Sequence, residues 1–174
     1  MPAIPQPIAL RPEQPGDEPF LFDLYASTRQ EELDAWGWPT AARQAFLALQ
    51  FRASQTRHQE YPDAAFHIIT AGGQSAGRLI LHRTPGVWHL VDIALLPAFR
   101  NAGVGTALLQ GICADAEAAG LPLRLNVLLE NRARRLYARL GFIPTSQAGP
   151  HVVMEWHAPA PQANPPASRC DSSR

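Results

Sequence analysis

The chain has 174 residues, 46% of them hydrophobic, and a formal net charge of zero. This length and composition predict one globular domain with enough apolar side chains for a proper core. The balanced charge provides no basic surface for nucleic acid and no acidic tail. All fifteen basic residues are arginine, so a lysine nucleophile or a Schiff-base lysine is excluded.

No segment has the pattern of a targeting or membrane-spanning sequence. The N-terminus, Met-Pro-Ala-Ile-Pro-Gln-Pro, is interrupted by prolines and lacks the basic start and apolar core of a signal peptide. No apolar run approaches the length needed to cross a bilayer. No pair of Cys or His residues has the spacing of zinc ligands. We therefore expect a cytoplasmic protein with no metal.

Hydrophobic periodicity and turn residues predict six elements in the first part of the chain. They are a strand at 8–10, helices at about 18–29 and 40–57, and strands at 64–71, 74–83 and 88–96. Asp17 is a predicted N-cap of the first helix, and a polar and aromatic linker is expected at 31–39. The glycines at 72–73 predict a hairpin turn, and Gly77 marks a predicted bulge.

The rest of the chain continues with alternating helices and strands and ends in a proline-rich tail. The predicted elements are a helix at 106–119, a strand at 123–130, a helix from 131 that stops at Gly141, and strands at 142–147 and 151–157. We expect residues 1–157 to form one domain. Residues 158–174 contain four prolines and no apolar periodicity, which predicts a disordered tail.

Two glycines stand where the strand at 88–96 leads into the next helix. Pro97 ends the strand, Arg100 follows, and Gly103 and Gly105 open the helix. Glycines there let bare backbone N–H groups approach a ligand, and a helix N-terminus favours an anion. The segment predicts a phosphate or pyrophosphate cradle, although a tight turn without a ligand explains the glycines equally well.

Two familiar nucleotide-binding loops fit this segment poorly. A P-loop requires Gly-Lys-Ser/Thr, and the chain contains no lysine. A dinucleotide fingerprint requires a third small residue, and Leu108 occupies that position. Another kind of α/β nucleotide-binding protein is therefore a remote interpretation.

A second strand–turn–helix segment lies downstream, and its helix ends in Leu136-Tyr137 before Gly141-Phe142. Together the two segments resemble the GNAT family of acyl-CoA N-acyltransferases. In that family Arg/Gln-x-x-Gly-x-Gly/Ala follows a strand, and Leu-Tyr-x-x-x-Gly-Phe ends a later helix. The resemblance extends over residues 8–157. It implies a three-layered α+β fold with a mixed, mostly antiparallel sheet of about seven strands and about four flanking helices.

The resemblance implies acetyl-CoA as cosubstrate, bound on the glycine loop and paired with the end of the preceding strand. The implied contacts are Ile93, Ala94 and Leu95 on the strand, Arg100, Asn101, Ala102, Gly103, Val104, Gly105 and Thr106 on the loop, and Asn131 further on. The Leu95 N–H is the implied donor to the developing oxyanion. Family members often have a basic residue at the position of Ala102. Glu130, rather than Asn131, has the family's asparagine spacing, so that contact stays open.

The resemblance also implies a general acid and leaves the base open. Tyr137 matches the family tyrosine that protonates the leaving thiolate, a role that suits a phenol. His89 occupies a position where the family often has glutamate, and its ordinary pKa suits a base. A hairpin role for His89 and deprotonation through water are the alternatives. Alternation along the strand predicts that Asp92 faces away from His89.

The acceptor is expected to meet the linker between the first two helices. There Glu32 could hold a cationic amine and Trp36 could stack on it, although a packed loop is as good an interpretation. The predicted activity is acetyl transfer to a primary amine of a small molecule or peptide. The alternative is a non-catalytic acyl-CoA-binding sensor or interaction module. Neither nucleic acid nor a membrane is an expected partner, and the last strand could pair with a second subunit in a homodimer.

Overall fold

The computed structural model describes residues 7–58 and 60–159, and in that part of the chain seven strands form one sheet. The strands are β1 (Ile8–Pro12), β2 (Ala65–Ala71), β3 (Gln74–Arg83), β4 (Trp88–Leu95), β5 (Leu123–Leu128), β6 (Ile143–Ala148) and β7 (His151–Trp156). The helices are α1 (Glu18–Trp36), α2 (Thr40–His58), α3 (Val104–Ala118) and α4 (Arg134–Arg139), with 3-10 turns at Pro15–Asp17 and Pro97–Phe99.

The strands lie in the spatial order β1-β2-β3-β4-β5-β7-β6. Neighbouring strands are antiparallel except β4 and β5, which run parallel. This mixed sheet with its four helices confirms the predicted α+β fold. Most of the proline-rich tail, at 160–174, lies outside the described residues.

Apolar side chains are buried on both faces of the sheet. Ile68 and Ile69 are neighbours on β2, and both are 0% exposed. Successive strand side chains point to opposite faces. Ile69 joins the larger core cluster with the buried side chains of α3, and Ile68 joins a smaller one with Leu21 of α1 and Phe51 of α2. The sheet is therefore the middle of three layers.

Helix α1 is longer than the sequence pattern predicted. It continues through most of the expected linker and ends at Trp36, where Gly37 adopts a left-handed φ of 63°. Between Pro19 and Gly37 the chain has no proline or glycine to interrupt the helical hydrogen bonds. Leu33 in the added turns is only 1% exposed. The prediction of a linker over 31–36 was therefore wrong, because burial of Leu33 favours further helix.

Asp17 directly precedes α1, but it does not cap the helix as predicted. Its carboxylate makes no hydrogen bond to the first helical N–H groups. It accepts the Gln14 N–H at 2.8 Å and pairs with Arg11 at 2.6 Å. The Asp17 side chain therefore closes the turn before α1 instead.

The link between β5 and α4 is a turn rather than helix. The Asn131 N–H donates to the Leu128 carbonyl at 3.0 Å. The Asn131 side-chain oxygen accepts the Ala133 N–H at 2.9 Å. Local bonds of this kind compete with helical bonds. As a result α4 begins at Arg134, three residues after its predicted start.

The bulge predicted at Gly77 lies one residue away. Ile69 pairs with Gly77 and Thr70 with Ser75, so Ala76 is the extra residue of β3. Gly77 is needed for a different reason. A Cβ there would lie 2.1 Å from the carbonyl oxygen of β4 residue 94, so only glycine lets the two strands approach this closely.

The last strand, β7, has no free edge. It pairs with β5 on one side and β6 on the other, so the expected pairing of this strand with a second subunit is contradicted. At that end of the sheet, β6 is the edge strand. Among the described residues, none of the helices combines the length and apolar character of a membrane span.

Candidate active site

The sheet opens where its parallel pair separates. β4 and β5 pair at three positions, and the last of these joins Leu90 to Leu125. β4 stays paired with β3 as far as Leu95. Beyond Leu90, the β5 side of β4 therefore has no strand partner in the described part of the chain.

A β-bulge explains why β4 leaves β5 at this point. On β3, Leu81 pairs with Leu90 and the preceding Ile80 pairs with Asp92, so Val91 is an extra residue of β4. A bulge bends its strand and increases the local twist. This one directly follows the last contact with β5, and it turns the rest of β4 away from that strand.

The backbone of Leu95 faces the opening. The Leu96 N–H donates to the Ala76 carbonyl of β3 at 2.9 Å. Because N–H groups alternate sides along an extended strand, the Leu95 N–H points away from β3. The N–H predicted as an oxyanion donor therefore faces the space between β4 and β5.

A cavity of about 1310 Å³ occupies this opening. Most of the predicted site residues line it: Ile93, Ala94, Leu95, Arg100, Asn101, Gly103, Gly105, Thr106, Asn131 and Tyr137. Two predicted loop residues do not. Val104 is 6% exposed and packs in the core, whereas Ala102 is exposed outside the cavity lining.

The glycine loop turns sharply before α3. Asn101 has a φ of 59° and Gly103 a φ of 81°, both in the left-handed region. The Ala107 N–H makes the bond to the Gly103 carbonyl at 3.0 Å that begins the helical pattern. The N–H groups of residues 104–106 therefore have no acceptor within the helix, as expected for a first turn. These donors and the helix dipole favour an anion at this end of the cavity.

Gly105 keeps the loop backbone accessible. A Cβ at this position would meet Leu95 Cδ1 at 3.7 Å and Leu136 Cδ2 at 3.8 Å, which are ordinary contacts. Packing within the protein therefore does not require glycine at 105. Its absence of a side chain leaves room for a ligand to approach the backbone.

Arginines supply further positive charge around the cavity. Arg132, Arg135 and Arg139 line it, and their side chains have no hydrogen-bond or ion-pair partner among the described residues. Guanidinium groups bind phosphate oxygens well. Together, the unpaired strand edge, the open glycine loop and these arginines provide backbone hydrogen-bond partners and positive charge for an extended, phosphate-bearing ligand.

Arg100 lines the cavity, but its guanidinium is engaged by the protein. Its Nε donates to the Leu95 carbonyl at 2.7 Å. Its Nη2 donates to the Ser27 hydroxyl at 3.1 Å and the Ser27 carbonyl at 3.4 Å. Arg100 therefore connects the end of β4 to α1.

Tyr137 is 6% exposed and reaches the cavity from α4. Its ring packs 5.7 Å from that of Phe142, and its hydroxyl has no hydrogen-bond partner among the described residues. Burial, and then the negative charge of Asp92, raise the pKa of Tyr137 to about 12. The phenol is therefore neutral at physiological pH, as a proton donor must be.

His89 lies on β4 but does not line the cavity. In the sheet it is opposite His82 of β3 on one side and Arg124 of β5 on the other. Burial, and then the charge of Arg124, lower the pKa of His89. The expectation that Asp92 faces away from His89 is wrong, because the extra residue Val91 shifts the alternation of side chains along β4. The residues of β3 opposite His89 and Asp92 are His82 and Ile80. These two are two apart in the strand, so His89 and Asp92 lie on the same face of the sheet.

Asp92 is held by the most buried charged side chain of the described residues. Arg78 is 7% exposed and donates to Asp92 Oδ2 from both Nε, at 3.1 Å, and Nη2, at 2.7 Å. The Arg78 Nη1 donates to Gln55 of α2 at 3.3 Å. This ion pair fixes the Asp92 carboxylate beside the bulge.

The acceptor residues predicted from sequence are not the ones that reach the cavity. Glu32 pairs with Arg29 at 3.2 Å, and neither it nor Trp36 lines the cavity. Thr28 and Glu31 line it instead. They share one face of α1, since residues three apart are neighbours on a helix. Extending the helical pattern past residue 29 would have identified this face.

Trp36 belongs to an exposed aromatic cluster at the turn between α1 and α2. Its ring centroid lies 4.9 Å from that of Trp38 and 5.6 Å from that of Phe46. Both tryptophans remain about two-fifths exposed, at 42% and 41%. The cluster packs the helical hairpin, and none of its three residues lines the cavity.

The family assignment follows from a match over most of the chain. The Acetyltransferase (GNAT) family model matches residues 21–142, which include the glycine loop and Tyr137. The chain therefore belongs to the GNAT family of acetyltransferases, and the resemblance seen in the two sequence segments is confirmed. No curated protein matches the sequence.

Solved structures with similar folds belong to the same class. The PaiA N-acetyltransferase of Thermoplasma acidophilum, in complex with coenzyme A, matches with 18% identity and a TM-score of 0.65 over 87% of this chain and 99% of that one. An acetyltransferase of Thermus thermophilus matches with 20% identity and a TM-score of 0.65 over 90% and 99%. The ribosomal-protein-S18-alanine N-acetyltransferase of Escherichia coli matches with 20% identity and a TM-score of 0.57 over 87% and 94%. At these identities the likeness is one of fold.

Proposed function

We propose that this protein transfers an acetyl group from acetyl-CoA to a primary amine of a small molecule or peptide. The observation that carries the proposal is the unpaired edge of β4 beyond Leu90. That edge leads into the glycine loop, and Tyr137 lines the same cavity. A strand edge, an anion cradle and a neutral phenol in one cleft match the needs of thioester aminolysis.

The chemistry assigns a distinct part to each group. The amine nitrogen forms a bond to the thioester carbon, the carbon–sulfur bond breaks, the nitrogen loses a proton and the sulfur gains one. The Leu95 N–H on the open edge stabilises the developing oxyanion, a contribution of ~3 kcal/mol for such a donor. Tyr137 supplies the proton to the sulfur. Water takes the amine proton, because His89 does not line the cavity.

Donor and acceptor approach from opposite sides of the opening. The glycine loop and the arginines of the β5–α4 segment lie with α3 and α4, and they hold the phosphates. Helix α1, on the other face of the sheet, contributes Thr28 and Glu31. The acceptor amine is therefore expected beside α1, with the Glu31 carboxylate attracting its cationic form to the mouth.

An amine screen tests the proposal. Release of the CoA thiol from acetyl-CoA is measured with a panel of small amines and peptides, and mass spectrometry identifies the acetylated product. Amine-dependent thiol release that Tyr137→Phe reduces supports the proposal. Binding of CoA with no product from any amine would instead favour an acyl-CoA-binding sensor on the same fold.

A further inference from the structure

Arg100 makes contacts that differ from those of a phosphate-binding arginine. Its Nε and Nη2 form one edge of the planar guanidinium, and that edge spans two separate elements. Nε donates to the Leu95 carbonyl at 2.7 Å, and Nη2 donates to the Ser27 hydroxyl at 3.1 Å. The Ser27 hydroxyl in turn donates to the Leu24 carbonyl at 2.7 Å, which fixes its direction.

The two elements joined in this way are β4 and α1. In the proposed function, β4 is the donor strand, which binds acetyl-CoA, and α1 is the acceptor helix, which faces the amine. Leu95 is the last residue of β4, and Ser27 lies in the middle of α1. Thr28 follows Ser27 directly, and Glu31 lies one helical turn further on, so both move with it. These are the two residues of α1 that line the cavity.

We propose that Arg100 is a positioning residue that holds the acceptor wall, formed by Thr28 and Glu31, against the donor strand. The inference rests on the proposed function and names a role that the glycine-loop motif does not imply. With Nε and Nη2 occupied, the guanidinium has only Nη1 left for a phosphate. The loop N–H groups and the unpaired arginines, such as Arg132, then bind the phosphates.

The planar fork makes the role specific to arginine. A lysine ammonium carries the same charge, but it is a single point and cannot span a carbonyl on β4 and a hydroxyl on α1 in the same way. Arg100→Lys is therefore expected to behave like Arg100→Gln. A phosphate-binding role for Arg100 predicts the opposite, since lysine also binds phosphate as a point charge.

We call the hydrogen bonds from Arg100 to Leu95 and Ser27 the clamp. Hydrogen exchange in the free protein tests the clamp without any ligand. Wild type, Arg100→Lys, Arg100→Gln and Arg132→Gln are first compared by thermal unfolding, and amide exchange is then followed by mass spectrometry. Exchange over residues 27–36 is expected to rise about fivefold in both Arg100 variants, as for loss of a net hydrogen bond. Arg132→Gln, a cavity arginine outside the clamp, should exchange like wild type. Wild-type exchange in both Arg100 variants would overturn the inference.

Ser27→Ala provides a second and milder test, since it removes the hydroxyl and leaves the carbonyl. Ser27→Ala also removes the bond from the hydroxyl to the Leu24 carbonyl, and the double variant with Arg100→Gln loses that bond too. Because both changes break the Arg100–Ser27 bond, exchange in the double variant should rise by less than the sum of the two single effects. Additive effects of the two changes would contradict the clamp.

Steady-state kinetics then separate positioning from general weakening of the fold. With an amine found in the screen, Arg100→Lys should raise the KM for the amine about fivefold, by the same hydrogen-bond estimate, and leave the KM for acetyl-CoA unchanged. A loss of acetyl-CoA affinity in Arg100→Gln that lysine restores would overturn the inference in favour of phosphate binding. Failure of CoA to bind wild type would refute the proposed function, while the exchange experiment still decides the clamp.

Discussion

Leu90 and Leu125 are the last paired residues of β4 and β5. One residue further along, the bulge at Val91 turns β4 aside, and β4 continues to Leu95 with β3 as its sole strand partner in the described chain. The cavity, the open backbone edge and the position of the glycine loop all follow from this separation. The site is therefore a property of the sheet itself, to which α1 and α4 add side chains.

Tyr137→Phe tests the proton donor. The change removes only the hydroxyl, which has no hydrogen-bond partner among the described residues, so the fold and CoA affinity should be retained. We expect kcat to fall about ten- to a hundredfold, the usual range for loss of a general acid. Steady-state kinetics with saturating acetyl-CoA measure this directly. An unchanged kcat would remove Tyr137 from the reaction.

The raised pKa of Tyr137 has a consequence for the alkaline side of the pH profile. An ordinary tyrosine ionises near 10.0, whereas burial moves the pKa of Tyr137 to about 12. The Tyr137 hydroxyl therefore stays protonated as the pH rises from 7 through 10. Between pH 7 and 10, we therefore expect kcat of wild type and of Tyr137→Phe to depend on pH in the same way. A decline with an apparent pKa near 10 in wild type alone would contradict the burial of this phenol.

Gly105→Ala tests the cradle. The new methyl group meets only ordinary contacts, so the free protein should be as stable as wild type. Ligand phosphate that hydrogen-bonds to the loop backbone would be pushed away, at a cost of ~1.5–3 kcal/mol, or about ten- to a hundredfold in CoA affinity. Gly111→Ala is the matched control, because it lies in the same helix with open space around its Cβ and outside the cavity lining. Equal CoA affinity in both variants would show that Gly105 is only part of a turn.

His89→Gln tests whether this histidine contributes to stability or to catalysis. The pKa of His89 is lowered by burial from its usual 6.5, so the unfolded chain takes up this proton first as the pH falls. The stability due to the neutral ring is fully present above pH 6.5 and is lost as the pH falls towards the folded-state pKa. Between pH 7.5 and 5, urea unfolding should show a larger loss of stability in wild type than in the variant. Unchanged kcat is the second expectation, and a large drop in kcat would instead make His89 the base.

Glu31→Gln and Glu32→Gln form a matched pair for the acceptor side. Both remove one acidic charge from the same turn of α1. Of the two, Glu31 lines the cavity, whereas Glu32 lies outside the lining and pairs with Arg29. Glu31→Gln should raise the KM for a cationic amine about fivefold, equivalent to the ~1 kcal/mol of an exposed ion pair. Glu32→Gln should leave that KM unchanged. The reverse pattern would place the acceptor on the other face of α1.

The donor half of the candidate site could be predicted from the sequence because it is local. The glycine loop and Tyr137 each lie in a short segment whose residue types fix its backbone. Gly103 adopts a left-handed backbone conformation in the loop before α3. Gly141, with a φ of 95°, ends the helix that carries Tyr137. Such constraints act over a few residues and leave a pattern in the sequence.

The acceptor half depends on contacts between distant segments. Residues 31–36 read as a linker by composition, and the burial of Leu33 decides in favour of helix. Val91 carries no sequence sign of a bulge, yet the bulge brings Asp92 to the same face as His89 and opens the cleft. The clamp between Arg100 and Ser27 joins residues 73 apart in the chain, which no local pattern can indicate.

A thermal-shift titration with acetyl-CoA, CoA, NAD and ATP tests the central claim most directly. The account predicts stabilisation by acetyl-CoA and CoA and none by NAD or ATP at the same concentrations. A ligand at about a hundred times its Kd adds ~2.7 kcal/mol to the free energy of unfolding, which is readily measured. No response to either CoA compound would contradict the account, because the open edge of β4 and the Gly103–Gly105 loop would then be a gap in the sheet and a turn without a ligand.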